Sequence, residues 1–92
     1  MAPATPSPHH VEPREVADAL TAFVNANIMA DGHSIAADDA LGPAGVDSMA
    51  MLKIFLFIEA EYGFWIPDED LVEDNVGSLR ALARYVSGKI AP

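Results

Sequence analysis

The sequence predicts a small all-α fold: a four-helix bundle with three longer helices, one short helix and a long first loop. Three stretches repeat apolar residues at the three-to-four spacing of an amphipathic helix, and no stretch alternates apolar and polar residues over the length of a strand. Glycine and proline fall mainly between these stretches. With 92 residues, 51% of them hydrophobic, the chain is long enough for one core and too short for two domains.

A flexible N-terminal tail is expected over residues 1–12, ahead of a single domain at residues 13–90. Prolines recur in the tail among alanine, serine and threonine, and each one fixes φ and removes a hydrogen-bond donor. The first helix is expected to start near Pro13, because proline suits the first helical position, and to end before Asp31-Gly32. Its apolar stripe consists of Val16, Leu20, Phe23, Val24 and Ile28.

A long loop is predicted over residues 31–46. Its glycines and its proline prevent a regular helix, and no alternating pattern indicates a strand. Ile35 and Leu41 are the apolar residues expected to hold it against the core. Loops of this length are uncommon in compact domains unless they are functional or tied down.

The second helix is predicted from Ser48 to Tyr62, with Asp47 as its N-cap and Gly63 as its stop. At 100° per residue its apolar side chains divide into two groups. The core stripe consists of Met51, Ile54, Phe55, Ile58 and Tyr62, and a second apolar face consists of Met49, Leu52 and Leu56. The second face is either covered by another part of the domain or exposed as an interface for a partner.

A short helix is predicted to begin at Pro67, in the stretch PDEDLVED. Leu71 and Val72 are its candidates for apolar anchors, so both are expected to face the core. A helix this brief is not stable alone and has to lean on the longer helices.

The final helix is expected to run from about residue 78 to 87, after a cap at Asn75 or Gly77, and to end at Gly88. Arg80 and Arg84 in this helix and Lys89 just after it make up most of the positive charge of the chain. The apolar face that it should bury consists of Leu79, Leu82, Ala83 and Val86.

The charge balance narrows the classes of partner. Five basic residues stand against fourteen acidic ones, a net charge of −9. Such a chain repels nucleic-acid phosphates and anionic lipids, so no nucleic-acid or membrane partner is expected. The acidity favours a basic protein partner, with plain solubility as the alternative. Because the chain has no cysteine and no apolar run of the ~20 residues that cross a bilayer, a cytoplasmic monomer is expected.

The stretch LGPAGVDSMAMLKIFLFIEAEYGFWIPDEDL, residues 41–71, carries a family resemblance. Asp-Ser-Met opens the apolar helix at Asp47, and an Ile-Pro-Asp turn follows that helix at Ile66. In an acidic chain of this length, this order of loop, helix and turn resembles the acyl carrier proteins, in which Asp-Ser-Leu opens the second helix. The tripeptide alone arises by chance, so the resemblance rests on its placement. It covers about residues 14–88.

The resemblance implies a carrier and not an enzyme. In that family a phosphopantetheinyl transferase moves 4′-phosphopantetheine from coenzyme A onto the serine that matches Ser48. Asp47 matches the family's aspartate, which contacts the transferase's metal and coenzyme A during loading. An acyl- or amino-acid-activating ligase then charges the thiol of the arm as a thioester, and a downstream acyltransferase or synthase takes the cargo.

The second helix departs from that of fatty-acid-type carriers. No acidic residue lies between Asp47 and Glu59, where those carriers typically place several carboxylates, and methionine replaces the leucine of the motif. A specialised system, aminoacyl or secondary-metabolic, is therefore expected rather than bulk fatty-acid synthesis. The residues expected to contact its partner are Met49, Leu52, Leu56, Trp65 and Ile66.

Two other classes of function stay open from the sequence. The first is a non-carrier helical module that binds one protein through the face of Met49, Leu52 and Leu56. The second is a small acidic catalyst, which the lack of any acid, base and nucleophile grouped in the sequence opposes. No metal site is expected, because adjacent carboxylates without a third ligand do not form one.

Overall fold

Four helices and one 3-10 helix account for the regular structure of residues 11–90, the range that the computed structural model describes. The described range contains no strand, which confirms the predicted all-α class. Most of the predicted tail, residues 1–10, lies outside the described residues. The elements are α1 (Pro13–Asn27), α2 (Ser48–Tyr62), the 3-10 helix (Asp68–Asp70), α3 (Glu73–Val76) and α4 (Leu79–Ile90).

Helix α1 begins and ends where the sequence predicts. Pro13 occupies the first helical position after Glu12, which is extended. At the other end, the amides of Ile28 and Met29 both donate to the carbonyl of Val24, at 2.9 and 3.0 Å, and the helix closes there. The buried face consists of Val16, Ala17, Leu20 and Val24.

Helix α4 packs antiparallel to α1. The hydroxyl of Ser87, near the end of α4, donates to the carbonyl of Val11, just before α1. The predicted apolar face is confirmed, because all four of its residues are fully buried. The helix continues through Gly88 to Ile90, so the predicted stop is wrong. Gly88 has no positive φ and therefore extends the helix as any residue can.

The predicted cap of α4 is also corrected. Neither Asn75 nor Gly77 caps the helix; the amide of Ala81 donates to the side-chain oxygen of Ser78 at 3.1 Å, so Ser78 satisfies one of the free donors of the first turn. Asn75 instead donates through its side-chain amide to the carbonyl of Asp70 at 2.9 Å, which ties α3 to the preceding 3-10 helix.

The long loop is tied down at three points. Ile35 and Leu41 are buried as predicted, and the Asn25 side chain both accepts from the Ile35 amide at 2.8 Å and donates to its carbonyl at 3.0 Å. The amide of Leu41 donates to the carbonyl of Gly77 at 3.0 Å, and that of Arg80 to the carbonyl of Ala37 at 2.9 Å. The loop therefore joins the end of α1 to the beginning of α4, and its path towards α2 is fixed.

The second connection differs from the prediction. A 3-10 helix and the four-residue α3 replace the single short helix expected from Pro67. Leu71 and Val72 are exposed and do not anchor the segment. Both lie between the two elements in non-helical conformations, with φ and ψ of −80° and 68° at Leu71 and −119° and 157° at Val72. The apolar contact comes from Ile66 and Val76 on either side.

Candidate functional site at the start of helix α2

The start of α2 is formed by a confirmed N-cap. Asp47 is extended, with φ −87° and ψ −175°, and its Oδ1 accepts from the amide of Ala50 at 2.9 Å. Ser48 is the first residue of the helix and is exposed. The remaining free amides of this turn and the positive end of the helix dipole favour an anionic group here.

Val46, just before the cap, is a buried residue that the sequence analysis overlooked. Its amide donates to the carbonyl of Leu41 at 3.0 Å, which closes the loop immediately ahead of the helix. The signal was present in the sequence, because an apolar residue before the cap and another at the fourth helical position, here Met51, form the pattern of a hydrophobic staple.

The serine side chains of the described range differ in how they are used. Ser78 caps α4, and Ser87 is buried and bonded to a backbone carbonyl. Ser34 and Ser48 are exposed, and within residues 11–90 the hydroxyl of Ser48 has no hydrogen-bond partner. Of these two, only Ser48 stands at a helix N-terminus. It contacts no base, so it is not an activated nucleophile and any covalent chemistry needs a base from elsewhere.

The core-facing side of α2 is turned relative to the predicted stripe. Ile54 and Ile58 are fully buried as predicted, whereas Met51, Phe55 and Tyr62 are half-buried and line the edge of the core. Ala50 is buried, and the Phe57 ring stacks on that of Phe23 with centroids 4.4 Å apart, although the sequence placed both outside the stripe. The Phe23–Phe57 contact shows that α1 packs on this side of α2.

The second apolar face of α2 is exposed within the described range. Met49 is 66% exposed, Leu52 43% and Leu56 51%, so no described part of the domain covers them. Trp65 is also half-exposed, with its ring edge-on to that of Phe55 at 6.5 Å. These four exposed residues, Met49, Leu52, Leu56 and Trp65, are called the apolar face below.

Ile66 does not belong to the apolar face, which corrects the sequence prediction. Its side chain is only 2% exposed and lies in the core. The chain after α2 has no regular structure at this point, and Phe64, Trp65 and Ile66 alternate between half-buried, exposed and buried. In an extended segment successive side chains point to opposite sides, so an outward Trp65 directs Ile66 inward.

The charged side chains of α2 are distributed unevenly along its length. Its first turn contains no acidic residue, and Lys53 lies in its second. Acidic side chains begin at Glu59, about 16 Å from Ser48 along the helix axis, and continue through the 3-10 helix and α3. After the cap residue Asp47, the first half of α2 is therefore apolar and without acidic side chains, whereas its last turn is acidic.

The described residues provide neither a metal site nor a membrane span. No group of three or more His, Asp or Glu side chains in the range 11–90 could hold a metal ion. Asp38 is paired with Arg80, and Asp39 accepts from the Ala36 amide at 2.8 Å, so both serve the loop. None of the helices in that range is long and apolar enough to cross a membrane.

Comparison with known proteins agrees with this geometry. The model of the family described as "Phosphopantetheine attachment site" matches residues 18–86, a range that includes the whole of α2 and most of α1 and α4. A curated protein, Aminoacyl carrier protein 1 of Bradyrhizobium diazoefficiens, is 35% identical over 48 residues, which are 52% of this chain and 53% of that protein. The chain thus spans about half the length of the curated relative it matches.

Proposed function

The chain belongs to the phosphopantetheine attachment site family, and we propose that Ser48 is the residue that bears its 4′-phosphopantetheine arm. Members of this family carry the arm covalently and are not catalysts themselves. The observation that supports Ser48 is its exposed hydroxyl, which has no hydrogen-bond partner among the described residues, at the first residue of α2 and inside the matched range. The family favours this carrier function over the alternative of a non-carrier interaction module. We assign the carrier to a single domain at residues 13–90.

Loading forms one bond and breaks another. The Ser48 oxygen attacks the β-phosphorus of coenzyme A, the bond from that phosphorus to the bridging oxygen breaks, and the 3′-phosphorylated adenosine monophosphate leaves. A phosphopantetheinyl transferase supplies the base that takes the hydroxyl proton. Asp47 uses Oδ1 for the helix cap and is itself exposed, so we propose that its carboxylate contacts the metal and coenzyme A in that complex.

The position of the phosphodiester suits both stability and delivery. At the first turn of α2 its negative charge faces free amides and the positive end of the helix dipole. The flexible arm keeps its thioester at a high effective concentration near the active site of any enzyme that binds the carrier. We propose that this enzyme binds the apolar face, which begins at Met49, the residue after Ser48.

We further propose an aminoacyl or other specialised cargo rather than the intermediates of bulk fatty-acid synthesis. Two observations support this: the matched relative is named an aminoacyl carrier protein, and the first turn of α2 has exposed Met49 and no carboxylate. The partners would then be an amino-acid- or acyl-activating ligase and a downstream acyltransferase or synthase. Because the arm comes from coenzyme A, we place the monomeric carrier in the cytoplasm.

The attachment site is tested by loading. The wild-type protein, Ser48→Ala and Ser34→Ala are each incubated with coenzyme A and a broad-specificity phosphopantetheinyl transferase, and their intact masses are measured. We expect one phosphopantetheine group on the wild type and on Ser34→Ala, and none on Ser48→Ala. If the wild type gains nothing, or if Ser48→Ala is still loaded, the proposed site is wrong.

The class of cargo needs a second experiment on the loaded protein. It is offered to an amino-acid-activating ligase and to a fatty-acyl-activating ligase, each with ATP and its acid. Thioesters are detected by intact mass and by their release with hydroxylamine. Aminoacyl charging is expected to be the faster reaction, and preferential charging with a long fatty acid contradicts the proposed specialisation.

A further inference from the structure

An open pocket of about 310 Å³ lies between the end of α1 and the last part of the long loop. Its walls combine aliphatic and thioether side chains with an imidazole and backbone groups. The lining residues are Ile28, Met29, Ala30, His33, Ala44 and Gly45. None of these residues has a role in the attachment or in the apolar face described above.

The packing of α1 on α2 places this pocket at the same end of the bundle as Ser48. The two helices run antiparallel, because two contacts join opposite ends of them. Phe23, in the second half of α1, stacks on Phe57 of α2. Glu15, near the start of α1, lies near Tyr62 at the end of α2, where burial raises the pKa of the tyrosine and the charges of Glu61 and Glu15 raise it further. Ser48 precedes Phe57 by about 14 Å along α2. An equal distance along the axis of α1, measured from Phe23 towards the end of that helix, passes Asn27 and reaches the residues that line the pocket. Ser48 and the pocket are therefore at the same end of the two helices.

The loop brings the pocket still closer to the attachment residue. Gly45 lies three residues before Ser48, so their backbones are at most about 11 Å apart. The pocket also lies on the α1 side of α2. The residues of the apolar face on α2, Met49, Leu52 and Leu56, point away from the buried Ile54 and Ile58 and are not on the side of Phe57, which contacts α1. A group tethered to Ser48 can therefore reach the pocket without covering the surface proposed for the partner.

We propose that this pocket is a resting site for the phosphopantetheine arm of this chain, an inference that rests on the proposed attachment at Ser48. The arm carries two amides and a pair of geminal methyl groups. Ile28, Met29 and Ala44 provide apolar contact for the methyl groups, and His33 and the loop backbone provide polar groups for the amides. The volume lies near the lower limit of small-molecule pockets, so it fits part of the arm with a small cargo and not a long acyl chain.

Substitution at the pocket rim provides a matched pair of variants. Ala30 lines the pocket and is exposed, so Ala30→Trp fills the space without disturbing the core. Ala22→Trp is the control, because Ala22 is exposed on α1 and does not line the pocket. Each protein is first loaded and checked by intact mass. Failure of the wild type to load overturns the attachment proposal and this one with it, whereas loading without docking overturns this one alone.

Docking is then measured by NMR and by thiol reactivity. In isotope-labelled loaded wild type we expect nuclear Overhauser contacts from the geminal methyl groups of the arm to the methyl groups of Met29 and Ala44. If the arm is docked about nine-tenths of the time with its thiol covered, iodoacetamide alkylates that thiol roughly tenfold more slowly than free pantetheine. Ala30→Trp should restore the rate of free pantetheine, and Ala22→Trp should keep the slow rate.

Two results contradict the resting site. The first is the absence of contacts from the arm to Met29 and Ala44 in the loaded wild type, a measurement that requires no substitution and therefore no assumption about the folding of a variant. The second is an alkylation rate that equals that of free pantetheine, or that is the same in Ala30→Trp and Ala22→Trp. Contacts confined to Asp47 and the first turn of α2 indicate a free arm and count against the proposal.

Discussion

Helix α2 is richer in apolar residues than α4, with eleven of its fifteen residues hydrophobic against seven of twelve, and the two helices use them differently. In α4 no large apolar side chain is exposed, and charged residues occupy the outer face. In α2 Ile54 and Ile58 are fully buried, yet Met49, Leu52 and Leu56 face outward. Helix α4 therefore leaves no large apolar side chain exposed, whereas α2 has exposed apolar side chains that the core does not use. The first of them is Met49, the residue after Ser48.

This difference separates residues that stabilise the domain from residues available to a partner. Burying a leucine or methionine side chain contributes roughly 1.5–3 kcal/mol, and the exposed residues of α2 do not make that contribution in the free protein. A surface of this kind on a small protein is expected when another protein completes the burial. The comparison thus predicts opposite outcomes for substitutions on the two sides of α2.

The largest effect on stability is expected on the buried side. Ile54→Ala removes a fully buried side chain and should lower the free energy of unfolding by about 2–5 kcal/mol. Leu56→Ala, on the apolar face of the same helix, should change it by no more than about 0.5 kcal/mol. Urea unfolding followed by circular dichroism measures both values. Equal losses contradict the division, because they mean that both sides of α2 stabilise the domain.

The next effect concerns the partner. Met49→Glu and Leu56→Glu each place a charge in the apolar face and should lower kcat/KM for loading by the phosphopantetheinyl transferase at least about tenfold, since an unpaired charge in an interface is costly. Helix content should not change. Ala22→Glu on the outer side of α1 is the control and should load normally. Unaltered rates in both α2 variants, or unfolding of both, refute the role of this face.

Local signals in the sequence were sufficient for the bounds of α1 and α2 and for the place of Ser48. Pro13 at a first helical position, Asp47 at a cap and Gly63 at a stop each act through the backbone within a few residues, so the sequence alone determines them. The position of Ser48 at the start of α2 follows directly from Asp47. The expectation that this serine bears the phosphopantetheine arm came from the family resemblance and not from the local pattern.

Features that depend on packing between helices were not predictable in the same way. Periodicity identified an apolar side of α2 but not the angle at which α1 contacts it, so the predicted core stripe left out Ala50 and Phe57. Leu71 and Val72 are apolar and yet exposed, because the chain leaves the helical conformation there. The pocket near Ser48 combines the end of α1 with the loop, and no local pattern indicates it.

Two glycines provide a smaller test of the difference between α2 and α4. Gly63 ends α2 with φ +68°, so Gly63→Ala should lower the free energy of unfolding by about 1–2 kcal/mol. Gly88 lies within α4, and a Cβ there would meet no atom within 4 Å. Gly88→Ala should therefore raise the free energy of unfolding by about 0.5–1 kcal/mol. Urea denaturation gives both signs, and a stabilising Gly63→Ala contradicts the assigned end of α2.

An effect of similar size concerns the contact that holds the segment after α2 onto α4. The hydroxyl of Tyr85 donates to the carboxylate of Asp70, and burial, followed by this hydrogen bond, raises the pKa of Tyr85 to about 12. The folded state thus favours the protonated phenol. The contribution of Tyr85 to stability is complete below pH 10, the ordinary pKa of tyrosine, and is lost as the pH rises towards 12.

Tyr85→Phe removes the hydroxyl and should lower the free energy of unfolding by about 1 kcal/mol at neutral pH. The loss of stability between pH 10 and 12 should be shallower in this variant than in the wild type. Tyr62→Phe is the matched control: the pKa of Tyr62 is also raised, by burial and by nearby carboxylates, but less strongly. Urea titrations across this pH range decide the matter, because identical slopes for Tyr85→Phe and the wild type mean that the Tyr85–Asp70 contact does not hold this segment to α4.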